Sequence, residues 1–282
     1  MTIADILKST PKRKRNEALW LLEFILKKNR SELLLDAERS LTPGERIKWS
    51  VASLARKTGK PLQYIVGSAP FWGREFRVGK GVLIPRPETE MLVELALNLF
   101  SKEEAVSALD IGTGSGAVAI TLKLERPGWK ITGTDISAKA LKFAKENAKV
   151  LAANVELARA DLFSPKLRKK NWSLVISNPP YLDTRKDKIA AEVRDWEPRS
   201  ALEPALKEKS KEVKERAAWC AEKILRGCAA AKPRYTALEL SARVAKLLET
   251  RWRTHESVAR IWREADLAGK KRFLLVAWKQ DA

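Results

Sequence analysis

The chain has 282 residues, 45% of them hydrophobic, enough apolar material for a sizeable core and too much for a disordered chain. Its 55 Lys and Arg against 35 Asp and Glu leave a formal charge of +20, a field that attracts polyanions and acidic partners or, more plainly, a solvated basic surface. No apolar run reaches the ~18 residues of a membrane span, and the basic cluster Lys12-Arg13-Lys14-Arg15 follows the first apolar residues, the wrong order for a secretory signal, so a cytoplasmic protein is expected.

Residues 1 to about 70 read as helical. Thr10-Pro11 and Thr42-Pro43 each put a capping hydroxyl before a proline at a first helical position. Thr42 and Glu45 have capping-box spacing, and Gly59 is a natural stop ahead of Pro61. Leu19, Leu22, Phe24, Ile25 and Leu26 supply the apolar stripe of a small bundle. The segment from Gly67 to Val78, with alternating aromatics and punctuating glycines, predicts a β-hairpin, and "LIPRPETE" then leads into a helix ending near Phe100.

From there strand and helix alternate: "ALDIG", a helix after Gly116, "KITGTDI", a helix from Ser137, "VELARADLF", and "LVISNPPYL". Strands separated by helices of this length predict a parallel, right-handed α/β sheet. A Lys/Glu-rich helix is expected after Leu206, then a helix with Trp219, the strand "YTALEL", another helix, and an antiparallel pair around "SVARIW" and "KRFLLVAW". Cys220 and Cys228, eight apart in a predicted helix, read as core thiols. With a single histidine, His255, and no CxxC pair, no metal centre is expected. Of the ten tryptophans, only Trp72 in the hairpin and Trp196 after the corner are placed to influence binding.

Three strand ends carry polar groups in register. Gly112-Thr113-Gly114-Ser115-Gly116 follows an apolar strand and opens a helix, where glycine lets the backbone turn sharply and approach a ligand. The spacing is GxGxG, and no GK[ST] follows to hold a nucleotide phosphate. Asp135 closes the second strand, where a carboxylate accepts both hydroxyls of a ribose. Asp161 and Leu162 end the third, where an acid and a backbone N–H can meet an adenine edge. Together they describe an adenosine without a required pyrophosphate, S-adenosylmethionine.

Asn178-Pro179-Pro180-Tyr181 ends the fourth strand with a rigid corner, because each proline lacks an N–H and fixes its φ. The Asn178 side-chain oxygen and the Pro179 carbonyl are acceptors suited to two N–H bonds on one planar nitrogen. Tyr181 offers a flat face or a hydroxyl. Such nitrogens are poor nucleophiles, and gripping both hydrogens aims the lone pair at a methyl donor. The substrate is thus an amide or an exocyclic amine of a base.

These segments, "PLQYIVGSAPFWGREFRVGKGVLIPRPETEMLVELAL", "DIGTGSG", "TGTDIS", "ISNPPYL" and "EVRDWEPRSAL", resemble the HemK/PrmC family of protein-(glutamine-N5) methyltransferases over residues ~15 to ~202. The resemblance implies a class I methyltransferase fold, a mostly parallel seven-stranded sheet with helices on both faces, at residues 85–282. It implies a helical substrate-recognition domain at 1–68, a hairpin linker at 69–84, and the glutamine of a Gly-Gly-Gln motif in peptide chain release factors as methyl acceptor. By the same resemblance Gly112, Thr113, Gly114, Ser115, Gly116 and Asp135 hold the cofactor and Thr89 lines its pocket; the strand-end reading adds Asp161, Leu162, which stands where many relatives carry an aromatic, and Asn178 beside the methyl donor. Asn178, Pro179, Pro180 and Tyr181 hold the glutamine amide, with Asn178, Pro179 and Tyr181 as the catalytic set. The corner alone is shared with adenine-N6 and guanine-N2 methyltransferases, so with the basic flanks a base-directed enzyme is the alternative, and contact with nucleic acid or the ribosome stays open. The chain departs from the family at Glu203-Pro204 and at Lys232-Pro233-Arg234 and Glu239-Leu240-Ser241.

Overall fold

The computed structural model describes residues 1–183, 187–204 and 216–280. The chain forms two compact units, Met1–Ser68 with Ala190–Trp196, and Ala69–Ile189 with Glu197–Ala282.

The first unit holds α1 (Ile3–Ser9), α2 (Arg15–Leu26), α3 (Arg30–Leu35), α4 (Pro43–Lys57) and α5 (Leu62–Val66). Capping boxes open α1, α3 and α4: Thr2, Asn29 and Thr42 each accept the third residue's N–H while Asp5, Glu32 and Glu45 accept the cap's own. Arg39 and the Thr42 N–H together hold the Glu45 carboxyl down at about 2. Thr10-Pro11 does not cap a helix. Thr10 ends α1, where free carbonyls face it, and its hydroxyl donates to the Ile6 carbonyl at 2.7 Å. Residues 12–14 make only a single 3-10 turn with no side-chain cap. Leu19 and Leu22 pack with Ile3, Ile6, Leu33 and Leu41, and Leu21 and Ile25 with Ala52 and Leu62. Phe24 and Leu26 are half-buried at that second cluster. Arg56 ties in the later segment, bonding Glu17 and Glu192 at 2.8 Å each. The Trp196 indole lies against Gly59.

The second unit opens within a hairpin, β1 (Ser68–Phe71) and β2 (Arg74–Arg77), that turns at Trp72-Gly73, both at positive φ. There follow α6 (Pro87–Asn98), β3 (Ser107–Ile111), α7 (Ala117–Glu125), β4 (Lys130–Asp135), α8 (Ala138–Val150), β5 (Glu156–Arg159), α9 (Pro165–Arg168) and β6 (Leu174–Ser177). Next come α10 (Ala191–Trp196), which belongs to the first unit, then α11 (Arg199–Leu202), α12 (Trp219–Ala231), β7 (Tyr235–Glu239), α13 (Ala242–Trp252), β8 (Val258–Glu264) and β9 (Phe273–Trp278). The Lys/Glu-rich helix expected after Leu206 lies outside the described residues.

The seven-stranded sheet has the order β5-β4-β3-β6-β7-β9-β8. The first five strands pair in parallel, and β9 runs against both β7 and β8. Successive strand residues enter opposite cores, as pleating requires. Ala108, Leu174, Ile176, Ala237 and Leu275 pack with α6, α7 and the hairpin phenylalanines. Leu109, Val175, Leu238, Leu274 and Val276 pack with α9, α12 and α13. A sheet apolar on both faces needs helices on both, which accounts for the near-continuous apolar strands. Cys220 and Cys228 are free and buried, and burial pushes both thiols up to about 12. Trp129, Trp172, Trp252 and Trp278 are core residues.

Candidate active site

The sheet reverses its strand order at β3, with β4 on one side and β6 on the other. Open α/β sheets bind ligands beyond the carboxyl ends at this switch point. The glycine loop leaves β3, Asp135 ends β4, Asp161 follows β5, Asn178 follows β6 and Glu239 ends β7. At the usual strand spacing, the β5 to β6 ends span about 14 Å along that edge. No helix of the described residues is long and apolar enough to cross a membrane, and none of their acidic, histidine or cysteine side chains group into a metal site. A cavity of about 260 Å³ between Lys102–Ala105 and Glu125–Trp129 lies at the opposite, amino ends of β3 and β4.

The loop is held from several sides. Gly112, Gly114 and Gly116 all have positive φ. The Gly112 and Thr113 N–H groups donate to the Thr134 carbonyl at 2.8 and 2.9 Å, and Gly114 N–H to Asp135 Oδ2 at 3.0 Å. Asp135 Oδ1 also accepts from Ser137 N–H at 2.8 Å, which starts α8, and burial raises this carboxyl above its ordinary range. The Thr113 hydroxyl turns inward onto Asp110 Oδ2 at 2.6 Å, and Ser115 is buried. Burial pushes Asp110 up to about 7 against the pull of Thr113 and the Ala119 N–H. What the loop presents outward is backbone. A Cβ added at Gly112 would meet nothing within 4 Å, and at Gly114 only Val82 and the Gly112 carbonyl near that limit. This open cradle fits a nucleoside bound through main-chain groups.

On β5's side Asp161 is exposed, and Leu162 stands at φ 40° with its side chain half-buried against α12's core. On β6's side Ser177 donates to the Ile111 carbonyl at 2.6 Å, locking the two strand ends that flank the switch point. Pro179 is buried, and Asn178, Pro180 and Tyr181 are half-buried.

Asn178 Nδ2 donates to Thr89 Oγ1 at 3.1 Å, and Thr89 Oγ1 to Glu239 Oε2 at 2.7 Å. Burial pushes Glu239 up to about 7, and burial followed by the Glu239 charge raises Tyr181 well above a normal phenol. Thr89 is therefore tied to the Asn178 corner, and the phenol is turned inward with its ring against the core.

Sequence reasoning passed over Glu239, Asp110, Asn147 and Glu197. All four are buried, but only Asp110 and Glu239 carried a signal, as acids in apolar strands; Asn147 and Glu197 stand among charged residues and carried none. Asn147 accepts from Arg77 N–H at 2.7 Å and donates to the Arg77 and Ser115 carbonyls at 3.0 and 2.8 Å, joining hairpin to glycine loop. Glu197 accepts from Ile84 N–H and from Arg86, so "LIPRP" is fixed by the Glu197 carboxylate. Glu90 accepts from Trp72 N–H at 2.8 Å. Trp72 packs beside the core, and Trp196 belongs to the helical unit.

A parallel sheet with one reversed strand, a main-chain cradle after β3 and an acid ending β4 define a class I S-adenosylmethionine-dependent methyltransferase. Residues 89–194 match the Methyltransferase small domain, and residues 3–67 the PrmC N-terminal domain. The release factor glutamine methyltransferase of Koribacter versatilis is 43% identical over 189 residues, 67% of this chain and 68% of the relative. That of Bacillus subtilis is 39% identical over 196 residues, with the same shares covered. The chain belongs to the release factor glutamine methyltransferase family. In fold it is similar to the catalytic domain of human METTL16 in complex with an RNA hairpin (TM-score 0.56, 14% identity, 84% of this chain and 82% of that one). It is similar also to the N-terminal domain of human METTL16 in complex with SAH (TM-score 0.52, 16% identity, 92% and 94%).

Proposed function

We propose that this chain methylates the side-chain amide nitrogen of the glutamine in the Gly-Gly-Gln motif of peptide chain release factors, in the cytoplasm. The observation that carries the reading is the Asn178 corner beside the main-chain cradle. With Nδ2 committed to Thr89, the Asn178 Oδ1 accepts no hydrogen bond from a described residue. It and the Pro179 carbonyl are two acceptors on a stiff turn, matching an NH2 group.

S-adenosylmethionine supplies an electrophilic methyl group on a sulfonium sulfur. Gly112 to Gly116 hold its amino-acid part and ribose through backbone groups. Asp135 keeps one lone-pair direction on each oxygen for the ribose hydroxyls after bonding Gly114 and Ser137. Asp161 and Leu162 take the adenine edge. Asn178 and Pro179 accept the two amide hydrogens, tilt the nitrogen out of conjugation and stabilise the positive charge it gains. Tyr181 packs its ring beside the amide plane, and Pro180 keeps the corner rigid. One N–H then leaves as a proton to water, because an alkylated amide nitrogen is acidic and needs no strong base.

In this reading residues 1–68 recognise the release factor, 69–84 link, and 85–282 carry the chemistry. The +20 charge supports contact of the basic surface with nucleic acid or the ribosome. Radiolabel transfer from S-adenosylmethionine to a purified release factor, beside one whose Gly-Gly-Gln glutamine is replaced, tests the acceptor. Label is expected only in the first. Equal labelling of both, or labelling of RNA alone, moves the activity to a different acceptor.

A further inference from the structure

The Asn178 amide has two ends of opposite character, and nothing in the backbone corner decides which one faces the acceptor. Oδ1 grips an incoming N–H, whereas Nδ2 in the same place would repel it. The neighbouring groups make that choice. Thr89 Oγ1 is the atom beside Asn178, and a hydroxyl can either give or take a hydrogen bond. On its other side sits Glu239, at 1% exposure, whose Oε2 accepts the Thr89 hydroxyl hydrogen at 2.7 Å.

We infer that Glu239 and Thr89 are positioning residues that set the polarity of Asn178. Glu239 takes the Thr89 hydroxyl hydrogen, the Thr89 oxygen is left as an acceptor, and only the NH2 end of Asn178 satisfies it. Oδ1 is thereby turned to the methyl acceptor's amide. This rests on the glutamine-amide reading above, but the chain of bonds itself does not.

Placement favours the role. Thr89 lies in the first turn of α6, 89 residues from Asn178 and 150 from Glu239, so three separate segments converge on one relay. Thr89 is 6% exposed, a polar group that would be costly to bury without both bonds. Glu90, the next residue along α6, anchors the hairpin turn through Trp72 N–H, which holds the helix start in place.

The tests are Thr89→Val, which keeps shape and removes the hydroxyl, Thr89→Ser, which keeps it, and Glu239→Gln. Thr89→Val and Glu239→Gln are each expected to lower kcat on release factor roughly 10–10²-fold, as for a small misalignment at a reacting centre. Cofactor affinity by calorimetry should stay within about twofold, and Thr89→Ser within about threefold of wild type in kcat, on that same reasoning. The double variant should be little worse than either single one, since both break one relay. A normal kcat in folded Thr89→Val, a parallel loss of cofactor affinity, or additive losses would overturn the inference. If Thr89→Val does not fold, Thr89→Ser decides: a large drop in its kcat refutes the relay. The side-chain amide resonances of Asn178 in asparagine-labelled protein give a readout without turnover. One hydrogen should stand downfield in wild type and move upfield in Thr89→Val; unchanged resonances reject the relay. Failure of the wild-type chain to label release factor would instead strike the proposed substrate and leave the spectral result standing.

Discussion

The Gly114 N–H donates to the Asp135 carboxylate at 3.0 Å, joining the middle of the glycine loop to the end of the neighbouring strand. The acid proposed to hold the ribose is thus also a strut of the loop. Asp135→Ala is expected to weaken cofactor binding by about 10–10²-fold, the worth of one or two charge-assisted hydrogen bonds. The loss should appear in KM for the cofactor and shrink when cofactor is saturating. A fall in kcat at saturation equal to that in kcat/KM would show that Asp135 acts in the transition state.

Asn178→Ala should leave cofactor affinity nearly intact and lower turnover by roughly 10²–10³, as when one preorganised polar partner at a reacting centre is removed. Calorimetry and single-turnover labelling together check this. Normal methylation by the variant would remove Asn178 from the mechanism.

Gly116 stands at φ +83°, and a Cβ there would come within 2.7 Å of Ile120 Cδ1 and 3.3 Å of Ala144 Cβ. Gly116→Ala is expected to destabilise by about 1–3 kcal/mol, from left-handed backbone and the contact with α7's own side chain. Urea unfolding reads it as a lower midpoint at unchanged slope. Gly112→Ala, whose added methyl meets nothing, should cost only the backbone strain and serves as the comparison.

Asn147 is 1% exposed and makes three hydrogen bonds to Arg77 and Ser115. Asn147→Leu fills the space but strands those backbone groups, at about 2–3 kcal/mol. The same urea titration measures it, and faster hydrogen exchange at the Arg77 amide should accompany it.

Asp110 and Glu239 both have carboxyls raised to about 7 by burial. Between the ordinary carboxyl range and 7 the folded chain keeps protons that the unfolded chain releases. Unfolding free energy from these two groups therefore falls as pH rises from about 4 to about 7, and levels off above that. Asp110→Asn and Glu239→Gln should each flatten this slope in denaturant titrations across the window. An unchanged slope in both would show that neither carboxyl takes up a proton on folding.

The sequence by itself determined the local elements and the chemistry carried by each strand end. Strand and helix periods, the Thr42 box and the proline corner are short-range matters, set by sterics and by spacing along one segment. The alternating parallel strands, Asp135 closing β4 and Asn178 closing β6 were legible for that reason. The insertion of β9 between β7 and β8 was not, since strand order depends on how both faces bury their apolar residues. Nor was the bond pattern around Thr89. One residue on α6 meets a carboxylate on β7 and an amide after β6 only once three distant segments pack, and burial alone turns Glu239 from an acid in an apolar run into the group that orders its neighbours. Thr10 shows the same limit at small scale: spacing marked a cap, and the carbonyls at the end of α1 made its hydroxyl a donor instead.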